Sequence, residues 1–216
     1  MAITTTKLGR AAGLAAIVAG LLYVLVQFIH PDETAASVTT SGWTLTHQLT
    51  LGMGVFALVG ISGMYFRQVP EMRVLGLIGY LVFAAFFLLV VANTFVEVVV
   101  LPSIADEAAQ YVNDLLATQV GDTVQGDVGG YSVAWAIASA TYLIGALAFG
   151  IALFRAGILA RWASLLLAIG AVAALLVAVL PESLDRLAAL PVGIALVGLG
   201  YSLWQNVKAA ASEHSV

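Results

Sequence analysis

Between Arg73 and Pro102 the chain carries a single charged side chain, Glu97, in an otherwise apolar run. That run, residues 74–101, spans about 42 Å as a helix at roughly 1.5 Å per residue, more than the roughly 30 Å hydrocarbon core of a bilayer. Five further runs of the same character lie at 8–30, 45–67, 131–154, 161–180 and 187–207. Inside lipid a backbone has no water to satisfy its N–H and C=O groups, so each run must be helical. Only 9% of the 216 residues are charged, against about a quarter in a soluble domain, which excludes a single soluble core. The expectation is one all-α integral membrane domain over residues 1–216, with six transmembrane helices. The first run, "TTTKLGRAAGLAAIVAG", is followed by no A-x-A-like cleavage site and reads as an uncleaved first helix.

The basic residues orient the bundle. With both termini cytoplasmic, Lys7, Arg10, Arg67, Arg73, Arg155, Arg161 and Lys208 lie inside and only Arg186 outside. On that topology most acidic residues are outside: Asp32, Glu33, Asp106, Glu107, Asp114, Asp122, Asp127, Glu182 and Asp185. Glu71 and Glu213 are inside, which leaves Glu97 within a span.

The odd-numbered runs begin near an arginine and end at a proline, in "FIHPDE", "VVLPSI" and "AVLPES". The even-numbered runs end in "MYFRQ", "IALFR" and "YSLWQ". Three parallel helical-hairpin repeats would produce this plan; so would the general placement of prolines and basic residues in membrane proteins. Small residues at Gly9, Gly13, Ala16, Gly20, Gly52, Gly60 and Gly63 suit close packing within the bundle. Trp43, Tyr131, Trp135, Trp162 and Trp204 fall near span ends, as interfacial anchors would.

Residues 103–130 form the one sizeable outer connection. Ser103 is a candidate N-cap, with Asp106 and Glu107 in the first turn. Ile104, Ala108, Tyr111, Val112, Leu115 and Leu116 then recur at helical spacing. The predicted amphipathic helix fits two roles, a lid over an outward cavity or a surface helix on lipid headgroups.

Polar groups within a span mark candidate sites. Glu97 lies near the outer end of its helix, with Asn93 one turn deeper on the same face and Thr94 beside it. His30 and His47, joined by a short loop, fall at the same level, with Gln27 one turn below His30. Gln27, His30, His47, Asn93 and Glu97 are therefore the expected lining of an outward-facing pocket. His30, His47 and Glu97 would also make a ligand set for a divalent metal, and the histidines could hold haem. The other reading has both histidines as interfacial groups bonded to loop backbone. His214 belongs to the tail. Without cysteine, thiolate metal sites and disulfides are excluded. No hydrolase, zincin, phosphate-loop or dinucleotide motif is present. Ser139 and Thr141 are expected to bond back to their own helix rather than act as nucleophiles. The basic residues are scattered, which argues against nucleic acid.

The stretch "RVLGLIGYLVFAAFFLLVVANTFVEVVVLPSIADE" resembles a broad group of small, uncharacterised bacterial six-span integral membrane proteins. The resemblance lies in an apolar third span with one glutamate shortly before an outer proline. It implies a bacterial inner-membrane protein and transfers no activity. The functions that fit are binding, sensing or passing a small ligand or ion. A metal- or haem-dependent enzyme using the same pocket, or an accessory subunit of a larger complex, are the alternatives. The bilayer is the first expected partner, with a homo-oligomer or a larger membrane complex as the second.

Overall fold

Apolar sequence alone makes helices in lipid; small residues decide how they pack. The computed structural model describes residues 3–173, 175 and 186–213. Its elements are α1 (Thr5–Ile29), α2 (Ser41–Arg67), α3 (Val69–Ile104), α4 (Ala109–Val120), α5 (Tyr131–Ala156) and α6 (Arg161–Ala173), then a 3-10 turn (Arg186–Ala189) and α7 (Leu190–Glu213). No strand occurs among the described residues. Five stretches, α1, α2, α3, α5 and Leu187–Val207, are long and apolar enough to cross a membrane, and the described part of α6 is a shorter apolar helix. The end of the run expected over 161–180, including "AVLPES", lies outside the described residues, as does His214.

The long helices pack as a ring in chain order, α1–α2–α3–α5–α6–α7, and α7 closes on α1. Closure depends on glycine. A Cβ on Gly13 would stand 2.8 Å from the Gly200 carbonyl oxygen, and one on Gly200 would stand 2.6 Å from that of Gly13. Gly60 packs in the same way on Ala16, joining α2 to α1. Opposite, Gly145 of α5 meets the backbone of Phe83 of α3, where a Cβ would lie 2.5 Å from the Phe83 nitrogen. Phe83, Phe87, Phe149, Leu153, Leu167, Leu196 and Leu199 fill the centre and are fully buried.

At the end bearing the basic residues, Arg67 Nε donates to Asn206 Oδ1 at 2.8 Å and the Arg10 guanidinium stands over Trp204. Here α3 opens with a short turn, and Arg73 then takes a left-handed φ of 51° before the helix continues from residue 74.

The other end differs from expectation in two ways. The third helix does not stop at Pro102 but runs on to Ile104 through a π-type stretch, Val96–Val100. The predicted cap at Ser103 is not there: its hydroxyl donates back to the Val100 carbonyl at 2.7 Å. The outer helix starts only at Ala109, so Asp106 and Glu107 precede it and Ile104 belongs to α3. A second hydrophobic cluster gathers Val38, Trp43, Leu101, Ala105, Val112, Leu115, Leu116 and Val128. It fixes α4 and the loop after α1 as a cap on this end of the ring. Gly121, with φ of 80°, ends α4 in the left-handed conformation that glycine adopts without strain.

Asp114 stitches the return of the cap. It accepts from the backbone N–H groups of Gln125 (2.9 Å) and Gly126 (3.0 Å) and from Gln110 Nε2 (3.1 Å). These bonds, the Gln125 N–H foremost, hold its carboxyl below the usual aspartate range. Asn113 Oδ1 accepts from Ala35 N at 2.7 Å and ties α4 to the loop after α1.

Candidate functional site

Glu97 is 5% exposed, under the cap. Its carboxylate sits at the meeting point of four segments. Oε1 accepts from Asn93 Nδ2 at 2.9 Å, one turn away on α3, and from Gln119 Nε2 at 2.8 Å, on α4. Oε2 faces His47 Nε2 of α2 at 3.6 Å. Asn93 in turn accepts at Oδ1 from the Tyr131 hydroxyl at 2.7 Å, at the start of α5. Because a phenol that donates leaves the Asn93 oxygen as acceptor, the amide is oriented with its NH2 toward Glu97.

The backbone of Glu97 is as unusual as its side chain. In the π-type stretch the Leu101 N–H bonds back to Val96, five residues earlier, and Pro102 has no N–H to offer. The Glu97 carbonyl instead accepts from the Trp43 indole at 2.9 Å. Trp43 is fully buried, which corrects its reading as an interfacial anchor. A side chain from α2 thus completes the hydrogen bonding of a turn in α3 disturbed by proline.

Trp43 also orders the histidines. Its ring stacks on His47 with centroids 3.9 Å apart, and His47 contacts His30 edge-on at 5.0 Å. His47 Nδ1 lies 2.9 Å from the Trp43 carbonyl. A carbonyl only accepts, so Nδ1 carries the proton and Nε2 of the neutral ring turns a lone pair toward Glu97 Oε2. Two acceptors then face each other unless one proton resides on the imidazole or on the carboxyl. His30 turns Nδ1 to the Pro31 carbonyl at 2.9 Å and stands 3.5 Å from Glu33 Oε1. Among the described residues no group of three or more His, Cys, Asp or Glu side chains is arranged to hold a metal ion. Glu97 is engaged chiefly by amide donors, and His30 is directed to its own loop.

Gln27 is placed apart from the carboxylate. Its Nε2 donates to the Tyr23 carbonyl at 3.3 Å, and the side chain lines a cavity of about 810 Å³. The cavity lies between α1, α3, α5, α6 and the 3-10 turn, walled by Phe86, Leu89, Val90, Trp135, Ala138 and Leu143 among others. Asn93 and Tyr131 line it too. The predicted pocket therefore divides into a filled polar cluster and an open, largely apolar chamber, with Asn93 belonging to both. Ser139 and Thr141 bond back to the carbonyls of Trp135 and Ala138, as expected.

Three partners of Glu97 escaped sequence reasoning: Trp43, Gln119 and, through Asn93, Tyr131. Gln119 is 22 residues from Glu97 and Tyr131 is 38 from Asn93. Neither separation has a helical period to betray it. No protein-family model, no curated protein and no solved structure matches this chain.

Proposed function

We propose that the chain is a six-span membrane protein with both termini cytoplasmic, whose outward half binds, senses or passes a small ligand or ion through the Glu97 cluster. The described part of α6 and the ring order support the sixth span. Alternation of helix direction around that ring also suits three parallel hairpins, α1–α2, α3–α5 and α6–α7. The single observation carrying the functional reading is that one buried carboxylate is held by side chains from α2, α3 and α4. Such a group in a membrane interior is costly and needs a return in structure or function. A purely structural carboxylate would be adequately served by Asn93 and Gln119. Here the histidine pair adds titratable groups at the outer rim, beside an open chamber.

The test compares the wild type with Glu97→Gln and with Glu97→Gln/His30→Ala/His47→Ala in nanodiscs. Thermal stability is read from pH 5 to pH 8, with and without monovalent and divalent cations. The wild type should show a pH- or cation-dependent shift that the triple variant lacks. If the two respond identically throughout, the cluster has no such role.

A further inference from the structure

The chamber beside the cluster has a chemistry of its own. Its walls are mostly hydrocarbon and aromatic, from Phe86, Leu89, Val90, Trp135, Ala138 and Leu143. Polar atoms enter from Asn93 and Tyr131, from Gln27 and Tyr23 on α1 and from Ser139 and Tyr142 on α5, and no charged side chain lines it among the described residues. Asn93 and Tyr131 are bonded to each other and Gln119 also reaches the phenol, yet capacity remains, because the Asn93 amide has a second N–H beyond the one given to Glu97. Gln27 likewise uses one N–H on the Tyr23 carbonyl. A volume of about 810 Å³ falls in the range of small-molecule sites, roughly 300–1,000 Å³. Ala92, Ala134 and Ser139 in the lining are exposed, so side chains added there would project into open space.

We infer that this chamber takes one lipid-soluble molecule with an apolar body and a neutral hydrogen-bonding head, an alcohol or a carbonyl compound, its head between Asn93, Tyr131 and Gln27. A charged head would meet no counter-charge among the described lining residues, and the Glu97 carboxylate is turned to Asn93, Gln119 and His47. A plain hydrocarbon would leave the second N–H groups of Asn93 and Gln27 unanswered. This inference rests on the membrane reading above but not on any role for Glu97, which does not line the chamber.

The experiment uses the full chain in nanodiscs with an eleven-carbon alcohol carrying a diazirine at its far end, and the matching diazirine hydrocarbon without the hydroxyl. After irradiation, attachment sites are mapped by mass spectrometry, with and without excess undecanol. Alcohol labelling should concentrate on the segments 86–96 and 134–143 and be competed by undecanol. It should fall about tenfold in Asn93→Leu and about threefold in Tyr131→Phe, the loss of one or two net hydrogen bonds. Ala134→Phe should abolish the competed labelling while leaving labels on the exposed outward faces at Leu14, Leu21 and Leu81, which also reports a folded bundle. The readout is competed labelling of the chamber, whereas the Glu97 reading is tested by the pH- and cation-dependence of stability, so failure of one and failure of the other are told apart. Labelling that spreads over the outward faces without competition, or competed labelling that survives Ala134→Phe, overturns the inference. So does equal competed labelling by the hydrocarbon probe.

Discussion

Glu97 combines two side-chain acceptors with three neighbours that present nitrogen, and substitutions there separate charge from hydrogen bonding. Glu97→Gln keeps an acceptor for Asn93 and Gln119 and gains an amide that can donate to the bare Nε2 of His47. Glu97→Leu strands those partners in a dry site. We expect Gln to change stability by less than about 1 kcal/mol and Leu to destabilise by about 2–4 kcal/mol, measured by denaturation in mild detergent. Equal losses for the two would mean that charge rather than hydrogen bonding holds the cluster. Asp114 gives the matching case on α4, apart from the long apolar helices. Its folded pKa lies below the ordinary 3.8, so its stabilising effect is present above that value and is lost as pH falls through the lower folded one. The cap should therefore keep its protection from protease at pH 5 and lose it below about pH 4. In Asp114→Asn this acid-dependent step should disappear; a step of unchanged size would assign it to other carboxylates.

At the level of elements, the turn before Pro102 is informative because proline did not end the helix. The π-type hydrogen bond of Leu101 and the missing N–H of Pro102 leave the Glu97 carbonyl to the Trp43 indole. Trp43→Phe should cost about 1–3 kcal/mol, from the unsatisfied carbonyl together with lost packing on His47. Pro102→Ala restores an N–H to the turn and should recover part of that loss. A double-mutant cycle with no coupling between positions 43 and 102 would refute the link. The cap was half legible in sequence. Val112, Leu115 and Leu116 stand out by their spacing and are buried, whereas Ser103, Asp106 and Glu107 point to a helix start earlier than Ala109. Ser103 looked like a cap because serine caps helices, yet α3 had not finished there and its last turn claimed the hydroxyl.

For the whole molecule, ring closure rests on backbones meeting at glycine. Gly145→Val should be destabilised by several kcal/mol or fail to fold, since even its Cβ meets Phe83 backbone that cannot yield. Gly52→Ala should be tolerated, its nearest neighbour being a Leu22 side-chain atom at 3.9 Å. Size-exclusion profiles and thermal stability of the pair check the contrast; equal behaviour would deny the interface its role. The topology is open to a clean test because the chain has no native cysteine. In intact cells an impermeant maleimide should label Asp122→Cys and spare Glu71→Cys, and the opposite pattern would invert the orientation.

The sequence by itself determined which stretches are helices suited to lipid, which end of the bundle collects the basic residues, and that Asn93 and Glu97 share a face. Each follows from solvation or from helical period, properties of a chain read locally. It also brought His30 and His47 to one level, since a short loop joins their helices. Tertiary structure alone decided that Gln119 and Tyr131 complete the cluster, that Trp43 is buried beneath the cap, and that Gln27 faces a separate chamber. Those outcomes depend on how α4 docks and how the ring closes, and closure is set by small-residue contacts between helices far apart in the chain. Periodicity shows which face of a helix is buried; only packing shows what it is buried against.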